Sequence, residues 1–347
     1  MVAPIKNQCS YATTAKCVDP LPGKALRVGR GFFPAWEQAV LPEICSQSEA
    51  EWLLCPYNTA PLKRVNTRLI LVVHDLIFME PWRQLPPSVS LYQNLGRLYR
   101  RFVVPKVIKK ADRLVTVSEY TKKLIVERYN VPAGQVCVIP NALDNSWFDL
   151  SPRPLHQRQR FILSVAGEAP SKNVKRLLHA FSRYAKADSN PYELKIVGIS
   201  QAKHASFQKE CLHLGVHELV EFVDYIDDVK LKNLYLEASA FIFPSLYEGF
   251  GIPLLEAMAS GVPIICSNTT SLPEVVGEAA LQFDPYDEKD MAQCISEIIR
   301  DTELAAELVV LGFKQVSKFR LEDINNKFEV FWSSVGFRVE VVAGADS

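Results

Sequence analysis

Two glutamates on either side of a glycine-rich loop are the residues whose types and spacing best suit ligand chemistry in this chain. They bound the segment Glu248-Gly-Phe-Gly-Ile-Pro-Leu-Leu-Glu256. Gly249 and Gly251 let the backbone turn tightly and approach a ligand closely, and Pro253 suits the start of a helix. Unpaired N–H groups at such a helix start form an anion site that fits a diphosphate.

The two carboxylates are expected to reach one pocket. An apolar run at 240–243 predicts a strand, so Glu248 falls on the loop at its carboxyl end. Glu256 falls in the first turn of the next helix, where side chains lean toward the N-terminus. A carboxylate only accepts hydrogen bonds and therefore suits the vicinal hydroxyls of a sugar. Taken singly, Glu256 is better explained as a residue that complements the helix dipole, and Glu248 as a solvated loop residue; the joint pattern of strand, glycine loop, helix start and paired glutamates is more specific.

A lysine and a histidine also stand where strands end. Lys172 lies in Gly167-Glu-Ala-Pro-Ser-Lys-Asn173, after a predicted strand at 161–165, and a cation there can neutralise a leaving phosphate. His74 ends the apolar strand 69–73 and can donate or accept a hydrogen bond. By position alone, Lys172 is equally well explained as an exposed lysine near a helix start. A lone histidine is more often structural than catalytic, and the position of His74 at a strand end favours the catalytic role.

The elements that would position these residues alternate between short apolar runs and amphipathic segments, which is typical of βαβ units and a parallel sheet. Further strands are predicted at 51–55, 114–117, 136–139, 194–197, 219–223 and 263–266. Helices are predicted near 36–44, 89–110, 119–129, 174–187, 229–237, 253–259, 288–300, 302–319 and 321–335.

The polar stretch 151–160 contains two prolines and is predicted to be a linker. We therefore expect an α/β protein with two Rossmann-like, doubly wound parallel-sheet domains facing across a cleft. The first domain is placed at 1–150 and the second at 151–318. Residues 319–347 hold a last helix that is expected to cross back to the first domain.

Composition narrows the function classes. Hydrophobic residues make up 48% of the 347 residues and charged residues 22%, a profile typical of a globular protein. Lys and Arg total 39 and so do Asp and Glu, which argues against nucleic acid as a partner. The eight cysteines form no CxxC pair, so we expect reduced core cysteines. The absence of an apolar run of about 18 residues and of a secretion signal predicts a cytoplasmic location.

One stretch, 97–113, is strongly basic. A solvated helix face is the ordinary explanation. The alternative is peripheral contact with the inner face of a membrane, through anionic lipid or a lipid-diphosphate acceptor. The basic residues are Arg97, Arg100, Arg101, Lys106, Lys109, Lys110 and Arg113, interleaved with Tyr92, Tyr99 and Phe102.

Three features of the sequence resemble family 4 of the retaining glycosyltransferases. They are the Glu-x₇-Glu spacing, its flanks Phe243-Pro-Ser-Leu-Tyr and Ala257-Met-Ala-Ser-Gly-Val-Pro263, and the Lys172-Asn173 pair. These are enzymes of the GT-B fold, and the likeness is to bacterial mannosyltransferase-like proteins of cell-surface polysaccharide assembly. The resemblance implies catalytic roles for His74, Lys172 and Glu248. It implies donor binding by Gly167, Tyr225, Gly249, Phe250, Gly251, Ile252 and Glu256, with Glu256 on the nucleotide ribose.

The reaction that the resemblance implies is transfer of a hexose, mannose being favoured, from a GDP- or UDP-linked sugar to a glycan or lipid-linked acceptor. It implies retention of the anomeric configuration, no cofactor and no essential metal. Two departures stand out: Glu168 replaces an arginine common in the family, and residues 1–29 show no opening strand with a glycine-rich loop. The missing opening keeps one alternative, a truncated or degenerate homologue that binds nucleotide-sugar without turnover. A second alternative is another GT-B chemistry such as nucleotide-sugar epimerisation, which the glutamate pair and the Lys172-Asn173 motif disfavour.

Overall fold

A computed structural model describes residues 10–13, 24–27, 32–63, 65–87 and 90–337. The chain forms two compact units. The first takes the described residues up to 80, those from 90 to 140 and those from 322 onward, and the second takes 81–87 and 141–321. Residues 141–150, assigned above to the first domain, and the predicted linker 151–160 both lie in the second unit.

The first unit contains a four-stranded sheet in which every neighbouring pair is parallel. Its strands lie side by side in chain order, and β4 has five buried residues in a row, as expected of a strand covered on both faces. Two further short strands, β1 and β2, pair in parallel as a separate sheet. The strands are β1 (Ser10–Thr13), β2 (Lys24–Arg27), β3 (Trp52–Cys55), β4 (Arg68–Val73), β5 (Arg113–Thr116) and β6 (Val136–Val138). The expectation that 1–29 lacks a glycine-rich opening loop falls largely outside the described residues.

Helices precede, separate and follow the strands of this sheet along the chain. A helical segment passes from α-helix (Phe33–Ala35) through π-helix (Trp36–Val40) to α-helix (Leu41–Gln47). The helices Leu91–Ile108 and Glu119–Tyr129 follow β4 and β5, and Ser90 and Ser118 cap them through their hydroxyls, which satisfies N–H groups that a helix start leaves unpaired. The last helix of the unit is Leu321–Ser334, which buries Trp332.

The second unit is built on a six-stranded, all-parallel sheet. The strand order is β12-β11-β10-β7-β8-β9, so the chain winds outward from β7 in one direction and then from β10 in the other. This is the doubly wound arrangement, and its direction changes between β7 and β10. The strands are β7 (Gln159–Val165), β8 (Glu193–Val197), β9 (Val220–Val223), β10 (Ala238–Phe243), β11 (Ile264–Ser267) and β12 (Ala280–Phe283).

The connecting helices complete the core of the second unit. Phe181 and Ile295, from two of these helices, are fully buried in the same apolar cluster as Ile242 of β10. The helices are Val174–Ala187, Gln201–Leu214, Asp228–Glu237, Ile252–Ala259, Leu272–Val276, Glu288–Arg300 and Thr302–Val316. The predicted α/β organisation with parallel sheets is confirmed.

Three elements of the second unit were not predicted. The helix Gln201–Leu214 buries only Cys211, so it has little apolar periodicity to detect. The helix Leu272–Val276 and the edge strand β12 are five and four residues long, too short for a periodic pattern.

Candidate functional site

The two loops at the change of winding direction in the second unit lie together. One follows β7 and the other follows β10, and parallel neighbours present their carboxyl ends at one edge of the sheet. The backbone N–H of Leu246 donates to the carbonyl of Ser171 at 2.7 Å, which ties the loops directly. Open α/β sheets bind ligands at this position.

Each of these loops contributes one charged side chain to an ion pair. Lys172 Nζ lies 2.7 Å from Glu248 Oε1, and the two side chains are 28% and 17% exposed. The Lys172 ammonium also lies 5.5 Å from the centre of the Phe243 ring. The structure thus brings together two predicted catalytic residues that are 76 positions apart in the chain.

The Glu248 loop is also fastened from its other side, by the loop after β11. The N–H of Glu248 donates to Thr270 Oγ1 at 3.2 Å. Ser271 Oγ donates to the carbonyls of Glu248 and Phe250 at 3.1 and 3.0 Å. Because both flanking loops bind its backbone, the loop is held in one conformation.

Gly251 ends this loop and caps the helix Ile252–Ala259. Its φ of 114° favours glycine, and a Cβ there would lie 2.9 Å from Leu272 Cδ2. The helix has no side-chain cap, and in the described part of the chain the N–H groups of Gly249, Phe250, Gly251 and Ile252 donate to no protein acceptor. Phe250 itself is 5% exposed, and buried N–H groups need an acceptor. The geometry therefore suits an anion.

Glu256, one turn into this helix, pairs with a residue that the sequence analysis did not single out. The Tyr235 hydroxyl donates to Glu256 Oε2 at 2.9 Å, and Tyr235 is fully buried. Burial raises the pKa of Glu256, although the Tyr235 hydrogen bond and Lys232 oppose the shift. A carboxylate with one oxygen engaged keeps the other for donors such as ribose hydroxyls.

Residues around Lys172 define the rest of this edge. The Asn173 amide donates to the carbonyl of Pro285 at 2.8 Å, which fixes the turn that carries Lys172. A Cβ on Gly167 would meet no atom within 4 Å, so there is open space beside it. Glu168 Oε1 accepts from the N–H of Ser200 at 3.0 Å, at the start of the helix Gln201–Leu214, where its charge is favourable.

Tyr225 lies apart from this ion pair, and His74 belongs to the other unit. Tyr225 follows β9, two strands from β7, or about 10 Å along the sheet, and is 77% exposed. His74 belongs to the first unit, after β4. Its Nε2 lies 2.7 Å from the carbonyl oxygen of Pro56; because a carbonyl only accepts, Nε2 carries the hydrogen and Nδ1 is the acceptor of the neutral ring.

A buried arginine holds the helices that carry Tyr235 and Glu256. The Arg158 guanidinium donates to the carbonyls of Tyr235 and Ala238 at 2.9 and 3.0 Å, and to those of Ser260 and Gly261 at 2.8 Å each. Burial lowers the pKa of Arg158 to about 10, so it stays charged at neutral pH. Its charge lies at the carboxyl ends of both helices, where a cation is favourable.

The sequence analysis missed Tyr235, Arg158, Thr270 and Ser271. The sequence could have indicated Thr270 and Ser271 as site residues, because a cluster of polar residues directly follows the apolar run of β11 at the end of that strand. Arg158 and Tyr235 had none, since their side-chain partners, apart from the nearby Arg153 carbonyl, lie 18 to 103 positions away in the chain.

Within the described ranges, no group of three His, Cys, Asp or Glu side chains could hold a metal ion. Among the helices of those same ranges, none is long and apolar enough to cross a membrane.

Comparison with known proteins covers most of the chain. Residues 146–314 match the family described as glycosyl transferases group 1, and residues 43–147 match Glycosyltransferase Family 4. The O-antigen chain mannosyltransferase B of Escherichia coli is 31% identical over 62% of this chain and 59% of its own length. The O-antigen chain mannosyltransferase RfbU of Salmonella typhimurium is 32% identical over 71% of this chain and 64% of its own. The chain thus spans less than two thirds of the length of these relatives.

Solved structures share the fold. WaaG, a glycosyltransferase involved in lipopolysaccharide biosynthesis, superimposes with a TM-score of 0.71 at 14% identity, over 93% of this chain and 89% of WaaG. Anabaena HepE, in complex with UDP and glucose, gives a TM-score of 0.69 at 16% identity, over 90% and 86%. These likenesses confirm the predicted GT-B fold. The two family matches and the two O-antigen mannosyltransferase relatives show that the chain belongs to family 4 of the glycosyltransferases.

Proposed function

We propose that this protein is a retaining hexosyltransferase of cell-surface polysaccharide synthesis. Its donor would be a GDP- or UDP-linked hexose, with mannose favoured, and its acceptor a glycan or a lipid-linked glycan. The observation that carries the proposal is the Lys172–Glu248 pair beside the unpaired N–H groups at the start of the helix Ile252–Ala259. The names of the O-antigen mannosyltransferases support mannose.

The proposed roles follow from charge. The N–H groups of Phe250 and Gly251 and the Lys172 ammonium stabilise the negative charge that develops on the departing nucleoside diphosphate. Glu256 accepts from ribose hydroxyls through the oxygen that Tyr235 leaves available. Glu248 sits beside the donor sugar and orients Lys172. Gly167 and Ile252 line the diphosphate site with Gly249, and Tyr225 lies near the base.

His74 is proposed to bind the donor sugar from the first unit. With hydrogen on Nε2 and the Pro56 carbonyl as its partner, the neutral ring offers Nδ1 as an acceptor to a sugar hydroxyl. The acceptor oxygen bonds to the anomeric carbon on the face from which the nucleoside diphosphate departs, the acceptor proton passes to a departing diphosphate oxygen, and the configuration is retained.

A donor panel tests the proposal directly. Purified protein is incubated with GDP-mannose, GDP-fucose, UDP-glucose, UDP-galactose and UDP-N-acetylglucosamine, and nucleotide release is measured. We expect release to be fastest from GDP-mannose, and proton NMR of the product to show the donor's anomeric configuration. Binding of nucleotide-sugar without release, across a panel of glycan acceptors, would favour the non-catalytic alternative. A converted donor sugar in place of free nucleotide would indicate epimerisation, and no binding at all would reject the proposal.

We also propose that the reaction needs no metal ion or cofactor. Charge neutralisation then comes from Lys172 and backbone amides, so treatment with EDTA followed by gel filtration leaves nucleotide release unchanged. A loss of release that Mg²⁺ or Mn²⁺ restores would contradict this.

Replacing Glu256 with glutamine should weaken nucleotide binding without lowering stability. The variant loses a charged acceptor for ribose hydroxyls, which corresponds to about 1–3 kcal/mol of binding free energy. The wild-type carboxylate is costly to bury, so the melting temperature of the variant should equal or exceed that of the wild type. Calorimetric titration with GDP and UDP and thermal unfolding measure both effects. The exposed Glu307→Gln is the control, and unchanged affinity in Glu256→Gln would reject the ribose assignment.

The pH dependence of this variant has a definite sign. Because the pKa of Glu256 is raised in the folded protein, its favourable contribution is fully present below the ordinary value of 4.5 and is lost as the pH rises through the raised value. The melting temperature of Glu256→Gln, relative to the wild type, should therefore increase across this window. A constant difference from acid to neutral pH would contradict the buried-carboxylate argument.

A further inference from the structure

We propose that the helix Leu91–Ile108 docks the protein on an anionic lipid membrane through an exposed apolar stripe formed by Leu91, Leu95, Leu98 and Phe102. These side chains are 77%, 54%, 52% and 59% exposed. This inference is independent of the proposed reaction, and its failure would leave that reaction untouched.

The stripe is a second apolar face of the helix. At 100° per residue, its four members fall within an arc of about 60°. Val103, Val104, Val107 and Ile108 are buried in the core of the first unit, and their mean direction is about 180° away from the stripe. Core packing therefore accounts for one apolar face and leaves the other unexplained. Single exposed leucines are ordinary, but four at helical spacing form a patch.

The charges around the stripe favour an anionic occupant. Between residues 91 and 111 there is no Asp or Glu, while six residues are Lys or Arg. Lys106 and Lys109 continue the direction of the stripe by one and two turns and are exposed. Lys106 Nζ lies 3.2 Å from the centre of the Phe102 ring. Lysines beside an apolar helix face reach lipid phosphates while their stems stay on the apolar side.

Geometry and charge select a membrane over the other occupants. The four apolar side chains follow one side of one helix, which suits a planar interface. A second copy docked through the same stripe would bring Lys106 and Lys109 against the same two lysines of the first copy, and residues 91–111 contain no acidic residue to pair with them, which is repulsive. Arg97 and Arg101 donate to the carbonyls of Phe78 and Glu80, which anchors the helix to its own unit beneath the stripe.

Vesicle sedimentation tests the inference. The full chain is mixed with vesicles of equal parts phosphatidylglycerol and phosphatidylcholine, or of phosphatidylcholine alone, at low and high salt. We expect binding to the anionic vesicles only, and weaker binding at high salt. Leu95→Ser/Leu98→Ser should lower the partition coefficient by at least about tenfold. Lys106→Gln/Lys109→Gln should lower it at low salt by about fivefold for each lysine.

The control is Leu212→Ser/Val310→Ser, which removes two exposed hydrophobic side chains of the second unit and should bind vesicles as the wild type does. Circular dichroism checks that every variant is folded. Three results would overturn the inference: no binding of the wild type to anionic vesicles, equal binding to both vesicle types, or wild-type binding by the Leu95/Leu98 variant. Concentration-dependent dimerisation lost in that variant would instead assign the stripe to a second copy.

Discussion

Replacing Lys172 with alanine is expected to lower kcat for nucleotide release by about 10²–10³-fold, the usual effect of removing one group that stabilises transition-state charge. The N–H groups at Phe250 and Gly251 act on the same diphosphate, but they carry only partial charge, and Glu168 is engaged with Ser200. Lys172 is therefore the side chain whose full positive charge lies beside the proposed diphosphate site, between the loops after β7 and β10. Its pair with Glu248 is partly exposed, so the fold should survive the change.

Matched variants separate this role from a general loss of charge. Lys175→Ala removes an exposed lysine from the first turn of the helix Val174–Ala187 and should retain wild-type kcat. Lys172→Arg keeps the charge but spreads it over a planar group, so we expect partial activity. Single-turnover measurements with saturating donor report the chemical step. Retention of more than half of the wild-type rate by Lys172→Ala would remove the phosphate role.

Glu248→Gln should separate binding from turnover. In the structure the Lys172 ammonium donates a hydrogen bond to the Glu248 carboxylate at 2.7 Å. A phosphate of the bound nucleotide must therefore compete with Glu248 for Lys172. Glutamine removes the competing charge, so the Kd for the nucleoside diphosphate should fall while kcat also falls, because Lys172 loses its orienting partner. Calorimetry and nucleotide release measure the two changes. A higher Kd in this variant would show that Glu248 helps to bind the nucleotide.

Arg158→Met should have the largest effect on stability. The variant removes hydrogen bonds to four backbone carbonyls at the ends of two helices. Buried acceptors left without partners cost about 1–3 kcal/mol each, so after relaxation we expect a loss of at least about 3 kcal/mol in the free energy of unfolding. For a unit of this size, that corresponds to a melting temperature lower by roughly 6–12 °C.

The neighbouring Arg153 provides the control for Arg158. It is about half exposed and lies 3.6 Å from Glu237, so Arg153→Met should change stability by less than about 0.5 kcal/mol. Hydrogen exchange should show faster exchange in the helices Asp228–Glu237 and Ile252–Ala259 for the Arg158 variant only. Equal melting temperatures for the two variants would show that the carbonyls find other partners.

The sequence predicted the sheets of both units because parallel strands are buried on both faces and form apolar runs. The runs at 69–73 and 240–243 correspond closely to β4 and β10. Elements with weak apolar content were missed, such as the helix Gln201–Leu214. The stretch 151–160 was predicted to be a linker, and the structure places it in the second unit with β7 beginning at Gln159; its two prolines and several polar residues hide the burial of Arg158. A charged side chain that binds only backbone carbonyls leaves no mark in a hydropathy pattern.

The candidate site was predictable only in part. Strand ends indicated Lys172 and Glu248, because parallel strands gather their carboxyl ends at one edge. The roles of these residues in a reaction stay predictions. Tyr235 could not be inferred, since its pairing with Glu256 depends on how two helices pack. The helix Leu91–Ile108 shows the same limit: its basic residues were evident, but the exposure of Leu95 and Leu98 became visible only with the buried face known.

The division of the chain also fixes the order in which its parts can be completed during synthesis. The first unit includes the helix from residue 322 onward, whereas residues 141–321 form the second unit. On the ribosome, the first unit must wait for the whole second unit to emerge before it receives Trp332, which is 1% exposed in the finished protein. A nascent chain that stops before this helix would carry a finished second unit and an unfinished first one. Early chain termination should therefore damage the N-terminal half of the molecule more than the half nearer the break.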